Sequence, residues 1–181
     1  MKFIKSFLAL AMVATITMPL SASAKSVVSG PSKATQDIVT IAATNGNFNT
    51  LVSAVLCANP AVLATLTSGE QYTVFAPTDA AFAKLGLNAG NVCSALDQTT
   101  LTNVLLYHVT EGRRFSNSVV PKVDGKVKMI ETLLGTSFGV HSNGMIHDVD
   151  SSSMPKIVMP NISATNGVIH VVDEVLLPIE I

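Results

Sequence analysis

The strongest constraint in this chain is a change of period near Gly112. Before that residue the apolar side chains recur at helical spacing; after it they fall into short runs cut by Gly, Pro, Asn and Asp. Phe48, Leu51, Val52, Val55 and Leu56 stand at i, i+3, i+4, i+7 and i+8, the stripe of a helix that lays one face on a core. Helices gathered in one half and strands in the other predict an α+β fold rather than an alternating α/β one.

Punctuation places the elements. Asp37 to Thr44 reads as a helix stopped by Asn45-Gly46, and Asn59-Pro60 opens another that Thr67-Ser68-Gly69 closes. The β-branched and aromatic run 71–76 is a strand, broken by Pro77-Thr78-Asp79, which caps a helix reaching Leu85. A further helix covers Thr99 to Tyr107, with Leu101, Val104, Leu105 and His108 at core spacing. Strands are expected at Val127–Leu134, Ser137–Ser142, Met145–Val149, Lys156–Ile162 and Gly167–Leu176, with hairpin signals at Asn143-Gly144 and Asn166-Gly167.

Residues 1–24 have a different character. Lys2 and Lys5 precede an apolar run from Phe7 to Ile16, and Ala22-Ser23-Ala24 makes a cleavage site, so 1–24 is expected to be an export signal. Residues 25–33 read as a flexible lead and 34–181 as one domain. The run is too short for a membrane span, and neither a second span nor a lipid anchor is expected. The expected location is therefore secreted, extracellular or periplasmic.

Composition matters once that segment is set aside. The whole chain is 48% hydrophobic and 13% charged, with 11 basic against 12 acidic residues. Residues 25–181 keep nine basic and twelve acidic side chains, while Ser, Thr and Asn fill 40 of the 157 positions. Such a chain is too apolar for disorder and too poor in positive charge for a nucleic-acid binder. Cys57 and Cys93 are an even pair in an exported chain and read as one structural disulfide.

Four constellations could carry chemistry. Gly135-Thr136-Ser137-Phe138-Gly139 is a literal G-x-S-x-G, followed by Asp150 and His170 in the order of a hydrolase triad. Strand-like flanks on both sides make it a turn between strands, and no enzyme is expected. His141, His147, Asp148 and Asp150 lie close in sequence; pairing His141 with Ile146 across Asn143-Gly144 would put the histidines on opposite faces, so no metal site is expected. Arg113, Arg114, Lys122, Lys126 and Lys128 form the densest basic stretch, read as an exposed loop and edge strand, with contact to an acidic polysaccharide as the weaker reading. His108, among apolar neighbours at a helix end, reads as a core histidine, expected to hydrogen-bond near Thr78 and Asp79.

Three segments carry a family resemblance. They are YTVFAPTDAAFAKL at 72–85, Tyr107-His108 within NVLLYHV at 103–109, and NGVIHVVDEVLLP at 166–178. Together they resemble the fasciclin-like domain family (fasciclin I, periostin and the transforming-growth-factor-induced matrix protein), here as a single secreted copy of bacterial style. The resemblance implies a β-wedge of two small sheets packed with several helices. It also implies a non-catalytic role in adhesion, and a binding region at Leu105, Leu106, Tyr107, His108 and Val109.

The leading expectation is thus a monomeric, secreted adhesion module that contacts cell-surface or matrix protein or polysaccharide, without a cofactor. The alternative is an extracellular carrier of a small ligand or lipid, using an apolar cleft between helices and wedge. Asn161-Ile162-Ser163 is a glycosylation sequon, meaningful in a eukaryotic secretory pathway.

Overall fold

Side-chain caps set most helix starts. The computed structural model describes residues 34–148 and 154–178; the expected export signal, the expected lead and Asp150 lie outside them. Helix α1 (Ile38–Thr44) begins where Asp37 accepts the Thr40 N–H at 2.7 Å and ends at Asn45. Helix α2 (Asn49–Cys57) is followed by α3 (Pro60–Thr67), where Asn59 accepts from Ala61 and Pro60 occupies the first turn. Strand β1 (Tyr72–Pro77) leads into α4 (Asp79–Ala83), capped by Thr78. Then come α5 (Val92–Ala95), α6 (Gln98–Tyr107) capped by Asp97, β2 (Val109–Glu111) and α7 (Ser116–Val119). The rest is β3 (Val127–Glu131), β4 (Ser137–His141), β5 (Ile146–His147), β6 (Ile157–Ala164) and β7 (Gly167–Val172).

The α+β expectation holds, as two small sheets and several helices. One sheet has the order β2-β1-β7-β6 and the other β3-β4-β5. Strand β1, from the helical half, pairs in parallel with β7, Tyr72 opposite Gly167 through Pro77 opposite Val172. The two halves of the sequence therefore meet at the centre of one sheet. Both strands are buried on both faces, which explains their mostly apolar sequences, with Thr73 and His170 as the polar exceptions.

That sheet separates two cores. On the helix side Val74, Ala76, Ile169 and Val171 pack with Phe48, Leu51, Val62, Leu66, Leu101 and Leu105. On the other side Phe75 and Val172 pack with Tyr107, Ile130, Phe138, Val140, Ile146 and Leu176. The sheets are also hydrogen-bonded to each other: the Thr110 hydroxyl donates to the Glu131 carbonyl at 2.6 Å and the Leu133 N–H to Val109 at 2.8 Å. The disulfide Cys57–Cys93 joins the end of α2 to α5, with a Cα–Cα distance of 5.6 Å.

Two local expectations are corrected. Ala54 in α2 and Ala58 at its C-terminal cap face the core while Leu56 is 68% exposed, so small side chains take the closest approach. The hairpin at Asn143-Gly144 has a three-residue loop: Gly144 (φ 79°) donates to His141, and the register pairs Gly139 with His147 and Val140 with Ile146. A left-handed glycine adds one residue to the turn and slips the pairing by one. His141 and His147 consequently share a face instead of lying on opposite ones.

At the β6–β7 turn the loop residues are Thr165 and Asn166, since Ala164 pairs with Gly167. Gly167 sits where any Cβ would collide with the Tyr72 carbonyl and the Ile38 side chain. Only glycine lets β7 approach β1 there.

Candidate functional site

The end of α6 is where the sequence placed binding residues. Tyr107 is fully buried, Leu105, His108 and Val109 nearly so, and only Leu106 retains some surface. The His108 ring lies within 2.7 Å of the Val104 carbonyl at Nδ1 and receives the Leu176 N–H at Nε2 over 3.0 Å. An amide N–H can only donate, so Nε2 accepts and Nδ1 carries the proton. Burial pushes the imidazole pKa down to about 4, against a smaller upward pull from the Val104 carbonyl.

His108 does not reach Thr78 and Asp79, which corrects the expected link. At its depth the group that needs an acceptor is the Leu176 N–H, and Asp79 is already engaged. The Asp79 carboxylate accepts from Thr50 N at 2.7 Å, Asn49 N at 3.3 Å and Asn49 Nδ2 at 3.0 Å, capping α2 from thirty residues away. Partial burial alone would raise its pKa, but the bonds from Thr50 and Asn49 outweigh that and hold it below the ordinary value. Thr78 caps α4 through Ala81 at 3.2 Å. His108 does tie to β1 through its backbone, whose carbonyl accepts from Phe75 at 2.8 Å.

A second buried histidine mirrors the first. His170, fully enclosed on β7, approaches the Arg114 carbonyl at 2.9 Å through Nε2 and receives the Asn161 N–H at 3.3 Å on Nδ1. Here Nε2 carries the proton, the opposite tautomer to His108. Burial lowers this pKa as well, partly offset by the Arg114 carbonyl. With both nitrogens engaged by backbone, His170 has none left to activate Ser137. Ser137 itself opens β4 opposite Glu131, with a turn before it and a strand after, and Asp150 lies outside the described residues.

Two asparagines act as long-range brackets that sequence reasoning took only for turn or sequon residues. Buried Asn166 accepts the Ile38 N–H at 2.9 Å and donates to the Leu66 carbonyl at 2.7 Å, joining the start of α1 to the end of α3. Asn161, at φ 69°, accepts the Ser116 N–H at 2.7 Å and so caps α7. Their sequence signal is a polar amide beside an apolar strand, with nothing to name the partner.

On the surface, His147 is exposed and His141 partly so. Asp148 is buried and accepts the Leu177 N–H at 3.0 Å. Among the described residues no group of three or more His, Cys, Asp or Glu could hold a metal ion. Arg113 lies 5.6 Å over the Phe115 ring, while Lys122, Lys126 and Lys128 are exposed. Among the described residues no single helix is long and apolar enough to cross a membrane; α2 and α3 together have the composition but meet at a 117° bend.

Two concavities differ in kind. An apolar cavity of about 60 Å³ lies between α1, α2, α3 and the sheet, bordered by Val39, Val55, Leu56, Leu63 and Leu66. A polar cleft of about 310 Å³ opens at the seam of the two sheets, lined by Thr110, Glu111, Arg114, Glu131, Thr132 and Leu133.

Known proteins resemble this arrangement. The sequence profile of the fasciclin domain matches residues 46–178. The immunogenic protein MPB70 of Mycobacterium bovis is 35% identical over 147 residues, 79% of this chain and 70% of that protein. The transforming growth factor-beta-induced protein ig-h3 of Sus scrofa is 32% identical over 148 residues, 81% of this chain and 20% of its own length. In structure, a FAS1 domain pair from the insect cell adhesion molecule fasciclin I superposes with a TM-score of 0.56 at 20% identity, over 73% of this chain and 45% of that one.

Proposed function

The chain belongs to the fasciclin domain family, and from that premise we propose that it is a secreted, non-catalytic adhesion module contacting cell-surface or matrix protein or polysaccharide. Fasciclin domain proteins are generally adhesion-related, and this chain has the FAS1 fold of helices around two small sheets. One observation carries the reading furthest: both buried histidines join two backbone groups with their ring nitrogens. The side chains best suited to general acid–base work thus hold the fold together. In this reading Leu105, Tyr107, His108 and Val109 serve binding only by keeping that fold, and Leu106 alone offers surface.

Size weighs against the carrier alternative. Sites for drug-sized ligands run to roughly 300–1,000 Å³, and the apolar cavity has about 60 Å³. The test is an array of glycans and matrix proteins probed with residues 25–181, alongside native mass spectrometry. Binding on the array with a bare protein mass supports adhesion. A blank array with a retained lipid mass overturns it in favour of the carrier.

A further inference from the structure

We infer that the cleft at the seam of the two sheets is a saccharide site that takes a hydroxyl-rich, uncharged sugar. The inference rests on the adhesion reading and narrows its partner to a neutral polysaccharide. Its volume, about 310 Å³, lies at the lower end of the range for small-ligand sites. Its floor is fixed, because the Thr110 hydroxyl and the Leu133 N–H are the hydrogen bonds that clamp one sheet to the other.

The charges around it are unusual in being left apart. Glu111, Glu131 and Arg114 line the same cleft, yet among the described residues no ion pair joins Arg114 to either carboxylate. Arg114 is held at three points. Its N–H donates to the Thr73 hydroxyl at 2.8 Å, its carbonyl takes the His170 ring N–H, and its Nε donates to the Glu111 carbonyl at 2.9 Å. The last of these anchors the guanidinium of a side chain that lines the cleft.

Carboxylates that only accept and a guanidinium that only donates are complementary to neighbouring hydroxyls, which do both. Leu133 adds an apolar patch for the C–H face of a ring. Two acids against one base leave the cleft negative, which disfavours sulfated or acidic chains at this site. The guanidinium in turn disfavours a bare cation between the carboxylates.

The experiment follows amide resonances of residues 25–181 by NMR. The protein is titrated separately with neutral oligosaccharides (cellulose-derived and N-acetylglucosamine oligomers) and with a heparin fragment. The expected result is shifts centred on 110–114 and 131–135 with a neutral sugar and none there with heparin. Glu131→Gln and Arg114→Ala should each weaken binding roughly tenfold or more, as for one charge-assisted hydrogen bond, at an unchanged melting temperature. Arg114→Ala keeps both backbone bonds, so folding is retained. Shifts outside the cleft, preference for heparin, or wild-type affinity in both variants overturns the proposal. Protein binding on the array with a silent cleft overturns the site but not adhesion; silence in both overturns both.

Discussion

The two cores on either face of the four-stranded sheet are built by different rules. The helix-side core is mostly aliphatic, with Phe48, Tyr72 and Phe82 set among aliphatic side chains rather than ring against ring; it contains a small cavity and depends on caps at helix ends. The wedge-side core is aromatic and directional. Phe138 meets Phe75 edge-on at 5.0 Å and Tyr107 at 5.7 Å, and His170 lies 5.4 Å from Phe75. Aliphatic packing tolerates imperfect filling, whereas edge-to-face rings and ring hydrogen bonds hold only in one arrangement. The wedge side should therefore be the brittle half, and it is the half that positions Arg114, through His170.

Truncation gives the largest contrast. Phe138→Ala should destabilise by about 3–5 kcal/mol in urea unfolding, because the rings around it cannot close the void. Leu66→Ala on the helix side, bordering the existing cavity, should fall at the low end of the ~2–5 kcal/mol range for Leu. Equal losses would erase the distinction. The disulfide is the helix side's compensation: replacing Cys57 and Cys93 together by Ala should cost about 3–4 kcal/mol by loop-entropy arithmetic, read by calorimetry.

What the sequence made legible divides along the same line. The caps Asp37, Asn59, Thr78 and Asp97 act within three residues of themselves, and the helices they start were readable, as was Cys57–Cys93 from compartment and parity. The family pattern indicated the wedge. Elements with tertiary causes were not legible. Strand β2 exists by pairing with β1, while α5 and α7 are four residues each, too short to show a period. The partner of His108 lies 68 residues away and those of Asn166 lie 100 and 128 away. No local pattern encodes such distances. The polar cleft was missed for the same reason, since Glu111, Arg114 and Glu131 come together only when the sheets join.

Acid should act next, and chiefly through the histidines. A group whose pKa is lower folded than unfolded binds its proton preferentially in the unfolded chain, so stability rises with pH. For His108, between the ordinary 6.5 and about 4, stability is full above pH 6.5 and falls as pH drops towards 4. The loss approaches about 3 kcal/mol, with His170 adding in the same direction. Asp79, lowered from 3.8, contributes stability above that value and loses it as pH falls further, in a separate acid window. Urea unfolding at pH 7 and 4.5 should show the decline, and His108→Gln should reduce it. A flat profile between pH 6.5 and 4.5 would mean the rings are not neutral bridges.

The smallest expected effect tests the tolerant side. Leu56 is 68% exposed at the rim of the apolar cavity, on the helix whose Ala54 faces inward. Leu56→Ser should change stability by no more than about 0.5 kcal/mol, as surface substitutions away from special contacts do. It should also leave array binding, and the absence of a retained ligand in native mass spectrometry, unaltered. If instead the variant loses a bound apolar ligand, the rim is a mouth and the helix side has a function that its packing conceals. An unchanged protein keeps binding with the polar seam, where the brittle wedge core holds Arg114 through the ring of His170.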